Sequence, residues 1–167
     1  MLIVFGGLPA TGKTTLSRLV AQDLPATWLR IDMIEAAMWR SGIAREEPTG
    51  LAAYVVANAL ADAQLSLGAT VVVDAVNPVE EVRRGWRELT ARHGVRLRLC
   101  EVVCSDRDEH RRRVEKRDSD LDGLKVPTWD DVIKREYEPW TEPRLTVDTV
   151  HSRAECLTAV FAYIERR

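Results

Sequence analysis

Several things are scarce in this 167-residue chain. Cysteine occurs three times, at Cys100, Cys104 and Cys156. So sparse and odd a set argues against a disulfide framework and fits a reducing compartment. Cys100 and Cys104 fall in one strand-like run, about 13 Å apart on one face, which is beyond disulfide reach. No second Cys or His pair completes a zinc site. The three histidines, His93, His110 and His151, share no motif and are expected at the surface. Net charge is scarce as well: 24 Lys and Arg against 26 Asp and Glu leave −2. A nucleic acid would therefore have to be held by a local basic site, not by a basic surface. No run of about 18 apolar residues is available to span a membrane. The apolar start, Met1 to Phe5, is short and has no basic segment before it, so it does not read as a signal peptide. A cytoplasmic protein is expected.

What the chain has in quantity is alternation between short β-branched runs and longer helical patterns. Strands are expected at Leu2–Phe5, Thr27–Ile31, Thr70–Val73, Val95–Val103 and Arg144–Val147. Helices are expected over 12–24, 33–40, 50–67 and 78–93, the last two closed by Gly68 and Gly94. Ser105 with Asp108, Thr128 with Asp131 and Ser152 with Glu155 read as capping boxes that open three more helices. "TVVV" at 70–73 is apolar throughout, as a strand covered on both faces is. The whole implies an α/β, three-layer sandwich around a five-stranded, mainly parallel sheet, in a single domain over residues 1–167. The polar stretch "DSDLDGLKVP" at 118–127 breaks the rhythm and is a candidate mobile loop.

Between the first strand and first helix, Gly7-Leu8-Pro9-Ala10-Thr11-Gly12-Lys13-Thr14 fits G-x-x-x-x-G-K-[ST] at every position, with Thr15 following. Glycines let backbone N–H groups turn inward onto phosphate oxygens, and the helix N-terminus adds its positive dipole end. Lys13 is placed to reach the β- and γ-phosphates, and the Thr14 hydroxyl to ligate Mg²⁺. Asp74 ends an apolar strand, where a carboxylate points into the ligand crevice of an open α/β sheet. It suits a role in holding Mg²⁺; a helix-capping Asp is the bland alternative. Asp32 follows the second strand. It is a candidate general base for an acceptor hydroxyl, or an N-cap for the next helix, or both. Over 106–125 seven Lys and Arg balance seven Asp and Glu, the pattern of a solvated helix. Arg113 and Arg117, four apart, share a helix face and lead into the loop, where they are candidates to neutralise charge on a transferred phosphoryl group. Trp129 and Trp140 flank the helix beyond and are candidate pocket borders.

Taken in order, "GGLPATGKTTLSR", "LRID", "VVVDAVNP" and "RRRVEKRD…VPTWDDVIKREYEPW" make the chain resemble the small P-loop kinases. The likeness is greatest to the group holding polynucleotide-kinase-type 5′-hydroxyl kinases and zeta-toxin-like kinases. The resemblance runs along nearly the whole chain. It implies a P-loop nucleoside-triphosphate hydrolase fold with a helical lid at about 106–127, ATP and Mg²⁺ as cofactors, Asp32 as base, and Arg113 and Arg117 as lid arginines. Two departures bear on the acceptor. Glu35 stands where the polynucleotide kinases carry an arginine for the acceptor phosphate, and it would repel that phosphate. The turn after Asp74 is one residue shorter than in the phage enzyme and lacks its Asp-Thr pair.

The expectation is an ATP- and Mg²⁺-dependent phosphotransferase acting on a hydroxyl of a small molecule or nucleotide. The alternatives are a nucleotide-dependent regulatory ATPase without an acceptor, and a 5′-hydroxyl polynucleotide kinase, which Glu35 disfavours. No N-K-x-D segment is present to read guanine.

Overall fold

The β-branched runs form five strands that pair side by side in one parallel sheet, in the order β2-β3-β1-β4-β5. In chain order the elements of this computed structural model, which describes residues 1–121 and 126–166, begin with β1 (Leu2–Gly6), α1 (Lys13–Asp23), β2 (Thr27–Arg30) and α2 (Ile31–Arg40). They continue with α3 (Thr49–Ser66), β3 (Val71–Asp74), α4 (Glu80–His93) and β4 (Leu97–Val103). The last are α5 (Arg107–Glu115), α6 (Trp129–Ile133), β5 (Leu145–Asp148) and α7 (Arg153–Glu165). Parallel strands need crossovers, and the intervening helices supply them on both faces.

Successive side chains of a strand point to opposite faces, and the core divides accordingly. Leu2, Val4, Val71, Val73 and Leu99 meet α3 and α4 through Ala53, Ala57, Ala61, Trp86 and Leu89. Ile3, Phe5, Val72, Cys100 and Val102 meet α1 and α7 through Leu16, Val20, Val160 and Ile164. These are the three expected layers. β1 is central and buried at every residue. It pairs with β3 at Phe5↔Asp74 and with β4 at Phe5↔Cys100, so its carboxyl end opens into a crevice flanked by two other strand ends.

Asn77, just past β3, ties this end of the sheet together. Its side chain donates to the Phe5 carbonyl at 3.1 Å and accepts from the Trp86 indole at 2.9 Å. Its own backbone N–H donates to the Tyr54 hydroxyl at 2.8 Å, and its carbonyl accepts from Arg83 at 3.2 Å.

Several boundaries differ from expectation. α2 begins at Ile31, so Asp32 lies within its first turn and not at its cap. α5 is capped by Asp106, whose carboxylate accepts from the N–H groups of Asp108 and Glu109; the Ser105–Asp108 box does not form. The two other boxes, Thr128 with Asp131 and Ser152 with Glu155, do form. α5 ends at Glu115, so Arg117 lies beyond the helix that was expected to carry it together with Arg113. Cys104 falls one residue past β4, and all three cysteines are free thiols. Of the expected lid at 106–127, and of the loop containing Gly123, residues 122–125 lie outside the described residues.

Candidate functional site

The loop from Gly7 to Gly12 leaves the end of β1 by a route only glycine permits at its start. Gly7 sits at φ 142°, and a Cβ there would lie 2.2 Å from the Val102 carbonyl oxygen. Gly12, at φ 97°, enters α1 without any side-chain cap, so the first N–H groups of that helix are left for an external acceptor. The loop is braced from outside. Thr11 donates to the Leu8 carbonyl at 2.9 Å, Thr149 to the Thr11 carbonyl at 2.8 Å, and His110 Nε2 to the Pro9 carbonyl at 2.8 Å. His110 is thus buried, contrary to the surface position expected, and its ring meets Trp129 edge-on at 5.3 Å.

Lys13 is buried at the crevice floor, and burial lowers its pKa, against the opposing pull of Asp74 and Asp32. Asp74 is buried too. Burial pushes its carboxyl above the usual range, and Lys13 and the neighbouring Thr14 hydroxyl offset this only in part. Neither Asp74 oxygen reaches a hydrogen-bond partner at standard geometry among the described residues. A buried, unsatisfied carboxylate next to a threonine hydroxyl is a donor set that fits a hydrated Mg²⁺ carried in on phosphates. No cluster of three or more His, Cys, Asp or Glu suited to a metal occurs among the described residues.

Two cavities meet at this floor. One, of about 300 Å³, follows the phosphate loop and is lined by Gly12, Lys13, Thr14, Thr15, Arg113, Arg117 and also by Arg30, Asp118 and Asp120. The other, of about 230 Å³, is lined by Pro9, Lys13, Asp32, Glu35, Trp39, Val76, Arg117, Val126, Pro127 and Arg135. Lys13 and Arg117 belong to both. Asp32, Glu35 and Trp39 reach the second cavity from one face of α2, at i, i+3 and i+7. Glu35 accepts from the Thr49 hydroxyl at 2.8 Å, which fixes its direction. Arg113 lines the phosphate-loop cavity, donating to Glu109 and, at 2.8 and 2.9 Å, to the hydroxyl and carbonyl of Thr149.

The expected site residues Gly7 to Thr15, Asp32, Asp74, Arg113 and Arg117 are therefore gathered around one crevice. Neither candidate tryptophan lines these two cavities: Trp129 packs against His110, and Trp140 is buried, its ring where a Cβ on Gly6 would stand. Arg30 and Asp120 went unforeseen. Arg30 is buried, and its guanidinium donates to both Asp120 oxygens, at 2.5 and 3.0 Å, and to Asp32 at 3.4 Å, with Asp74 at 3.9 Å. β2 ends at Arg30, one residue short of the expected strand, and only the folded sheet sets that residue in register with Asp74.

A family model described as an AAA domain matches residues 2–137, most of the chain. The chain belongs to this AAA-domain family. No match to a curated protein sequence was found. Among solved structures, a sugar kinase from Janibacter sp. HTCC2649 resembles this AAA-domain chain with a TM-score of 0.74 at 13% identity, covering 98% of this chain and 94% of that one. APS kinase CysC from Mycobacterium tuberculosis, in complex with AMPPNP and APS, gives 0.74 at 20% identity over 99% and 97%. Kti12 from Chaetomium thermophilum, in complex with ADP-AlF3, gives 0.74 at 20% identity over 98% and 97%. At such identities these likenesses establish a shared P-loop fold. No helix among the described residues is long and apolar enough to cross a membrane.

Proposed function

We propose that this AAA-domain chain is an ATP- and Mg²⁺-dependent phosphotransferase that moves the γ-phosphoryl group of ATP to a hydroxyl of a small molecule or nucleotide. The observation that carries the reading is the second cavity: a carboxylate, Asp32, faces a space that shares Lys13 and Arg117 with the phosphate loop. A switch that only binds or hydrolyses its nucleotide has no need of that space. Its size, about 230 Å³, favours a small acceptor, and Glu35 on its wall disfavours a phosphate of nucleic acid. Similar folds that hold a donor analogue together with an acceptor, as APS kinase does with AMPPNP and APS, are consistent with two ligands meeting at this floor.

In this mechanism the uncapped N–H groups that open α1 and the Lys13 ammonium hold the β- and γ-phosphates. Thr14 and Asp74 would hold Mg²⁺, which supplies positive charge to the triphosphate when bound. The acceptor oxygen bonds to the γ-phosphorus as the bond to the β,γ-bridging oxygen breaks, Asp32 takes the hydroxyl proton, and ADP leaves. Arg117, placed between the cavities, and Arg113 oppose the charge on the phosphoryl oxygens. Pro127 and Val126 wall off water on the acceptor side.

The test is transfer from γ-labelled ATP to a broad panel of hydroxyl compounds. Asp32→Asn should keep ATP affinity within about twofold and lose transfer by at least about 100-fold, the range of a lost general base. Undiminished transfer in that variant removes Asp32 as base. Hydrolysis that no acceptor stimulates, and that Asp32→Asn leaves unchanged, makes the chain a regulatory ATPase.

A further inference from the structure

Arg30 is unusual in its company. One guanidinium, 3% exposed, faces three carboxylates that come from three parts of the chain: Asp32 in α2, Asp74 in β3 and Asp120 in the segment after α5. Its two terminal nitrogens are committed to Asp120 in a fork, and Nε has no hydrogen-bond partner among the described residues. The fork lies on the wall of the phosphate-loop cavity itself, beside Lys13, Thr14 and Arg117.

That position is electrostatically odd for a nucleotide site. Asp118 and Asp120 put two negative charges on the wall of a cavity whose loop, helix terminus and cations are otherwise suited to polyphosphate. Arg30, which matches that purpose, is instead neutralised by Asp120. A guanidinium fork accepts a carboxylate or a phosphate in the same bidentate geometry, so one can replace the other. The two ends of the pair are also unequal. Arg30 is fixed at the end of a sheet strand and buried, whereas the Asp120 side chain is 58% exposed. The exposed end can therefore give way to another bidentate anion while the guanidinium stays where it is.

We propose that Asp120 is a built-in stand-in for phosphate: it occupies Arg30 while the site is empty of nucleotide, and a triphosphate displaces it and takes Arg30 as a further phosphate ligand. Arg30 is then a binding residue for the donor, and Asp120 its competitor. This deepens the proposed nucleotide site but does not depend on the existence of an acceptor. Its test therefore uses binding alone.

The experiment is calorimetric titration of the full chain with a non-hydrolysable ATP analogue and Mg²⁺, and separately with inorganic tripolyphosphate. An ion pair that merely holds the segment in place loses affinity when either partner is removed. Displacement instead gives opposite signs. Asp120→Asn should bind the analogue and tripolyphosphate roughly threefold more tightly, the scale of an exposed pair. Arg30→Lys, which keeps the charge but not the fork, should weaken both by about tenfold, the scale of a lost charged hydrogen bond. The double variant should bind no more tightly than Arg30→Lys alone. Asp120→Asn is exposed and should fold normally, so unchanged or weaker binding in that variant overturns the proposal. So does unchanged binding in a folded Arg30→Lys variant. If wild type binds neither probe, the nucleotide site itself fails and the proposal with it. If binding behaves as expected while no acceptor is found, only the phosphotransferase reading is lost.

Discussion

Asp74 concentrates the conflict between stability and function on one side chain. It is buried, its oxygens reach no hydrogen-bond partner at standard geometry among the described residues, and its carboxyl is pushed above the usual range by desolvation. A carboxyl whose folded pKa is raised adds stability while protonated, and that contribution is lost as pH rises through the folded pKa. Asp74→Asn keeps the shape and removes the charge. The ligand-free variant should melt higher than wild type at pH 7, by a margin on the order of 1–2 kcal/mol. The margin should shrink as pH falls and close below the ordinary carboxylate pKa, where the unfolded state of wild type takes up the proton as well. Thermal melts across that range in the absence of Mg²⁺ check this. The same variant should lose the Mg²⁺ dependence of nucleotide binding. The thiols make the opposite case of burial without function. Cys100 is pushed up to about 12 by its apolar surroundings, so it serves as core.

At the scale of elements, what matters is how strand ends are joined to the helices that carry the site. Asn77 does this for β1, β3, α3 and α4 with side-chain and backbone bonds at once, and it holds a left-handed φ of 53° that asparagine tolerates better than most residues. Asn77→Ala would leave the Trp86 indole N–H buried without its partner and the Phe5 carbonyl with the Ala75 N–H alone. We expect a loss of about 3 kcal/mol in chemical denaturation and a drop in Tm of about 10 °C. Elements are also the scale at which the sequence was most legible. The strands showed as apolar β-branched runs, and Gly94 and the Thr128 and Ser152 boxes marked helix ends, because those signals are local. The phosphate loop was legible for the same reason. Arg30 with Asp120, separated by 90 residues, and His110 with Pro9, separated by 101, were not. Neither pairing has a periodic or adjacent signature. Each exists only because the parallel sheet brings the carboxyl ends of β1, β2 and β4 to one edge. The Ser105 box failed for a related reason: Asp106, one residue later, offers a carboxylate to the same helix end and wins it.

For the whole molecule, an uncapped α1 terminus, an Asp74 carboxylate without a standard hydrogen bond among the described residues and a buried Lys13 all lie on one crevice, and each is relieved by the same ligand. Nucleotide with Mg²⁺ should therefore raise the melting temperature as its concentration rises, reaching about 2.7 kcal/mol at a hundredfold excess over Kd. Lys13→Ala should fold, since the change removes a desolvated charge, yet show little or none of that ligand-dependent rise. A full shift in the variant, read by differential scanning calorimetry, would place the nucleotide elsewhere on the molecule.

The two cavities share a wall made of Lys13 and Arg117. Each ligand is thereby part of the surface that the other one meets, so their affinities are thermodynamically linked. Whatever factor the bound triphosphate applies to the dissociation constant of the second ligand, the second ligand must return to the triphosphate, with the same magnitude and sign. An acceptor need not be known in advance to be sought in this way: a compound that alters the apparent affinity for the ATP analogue declares itself a neighbour of Lys13 before any phosphate has moved.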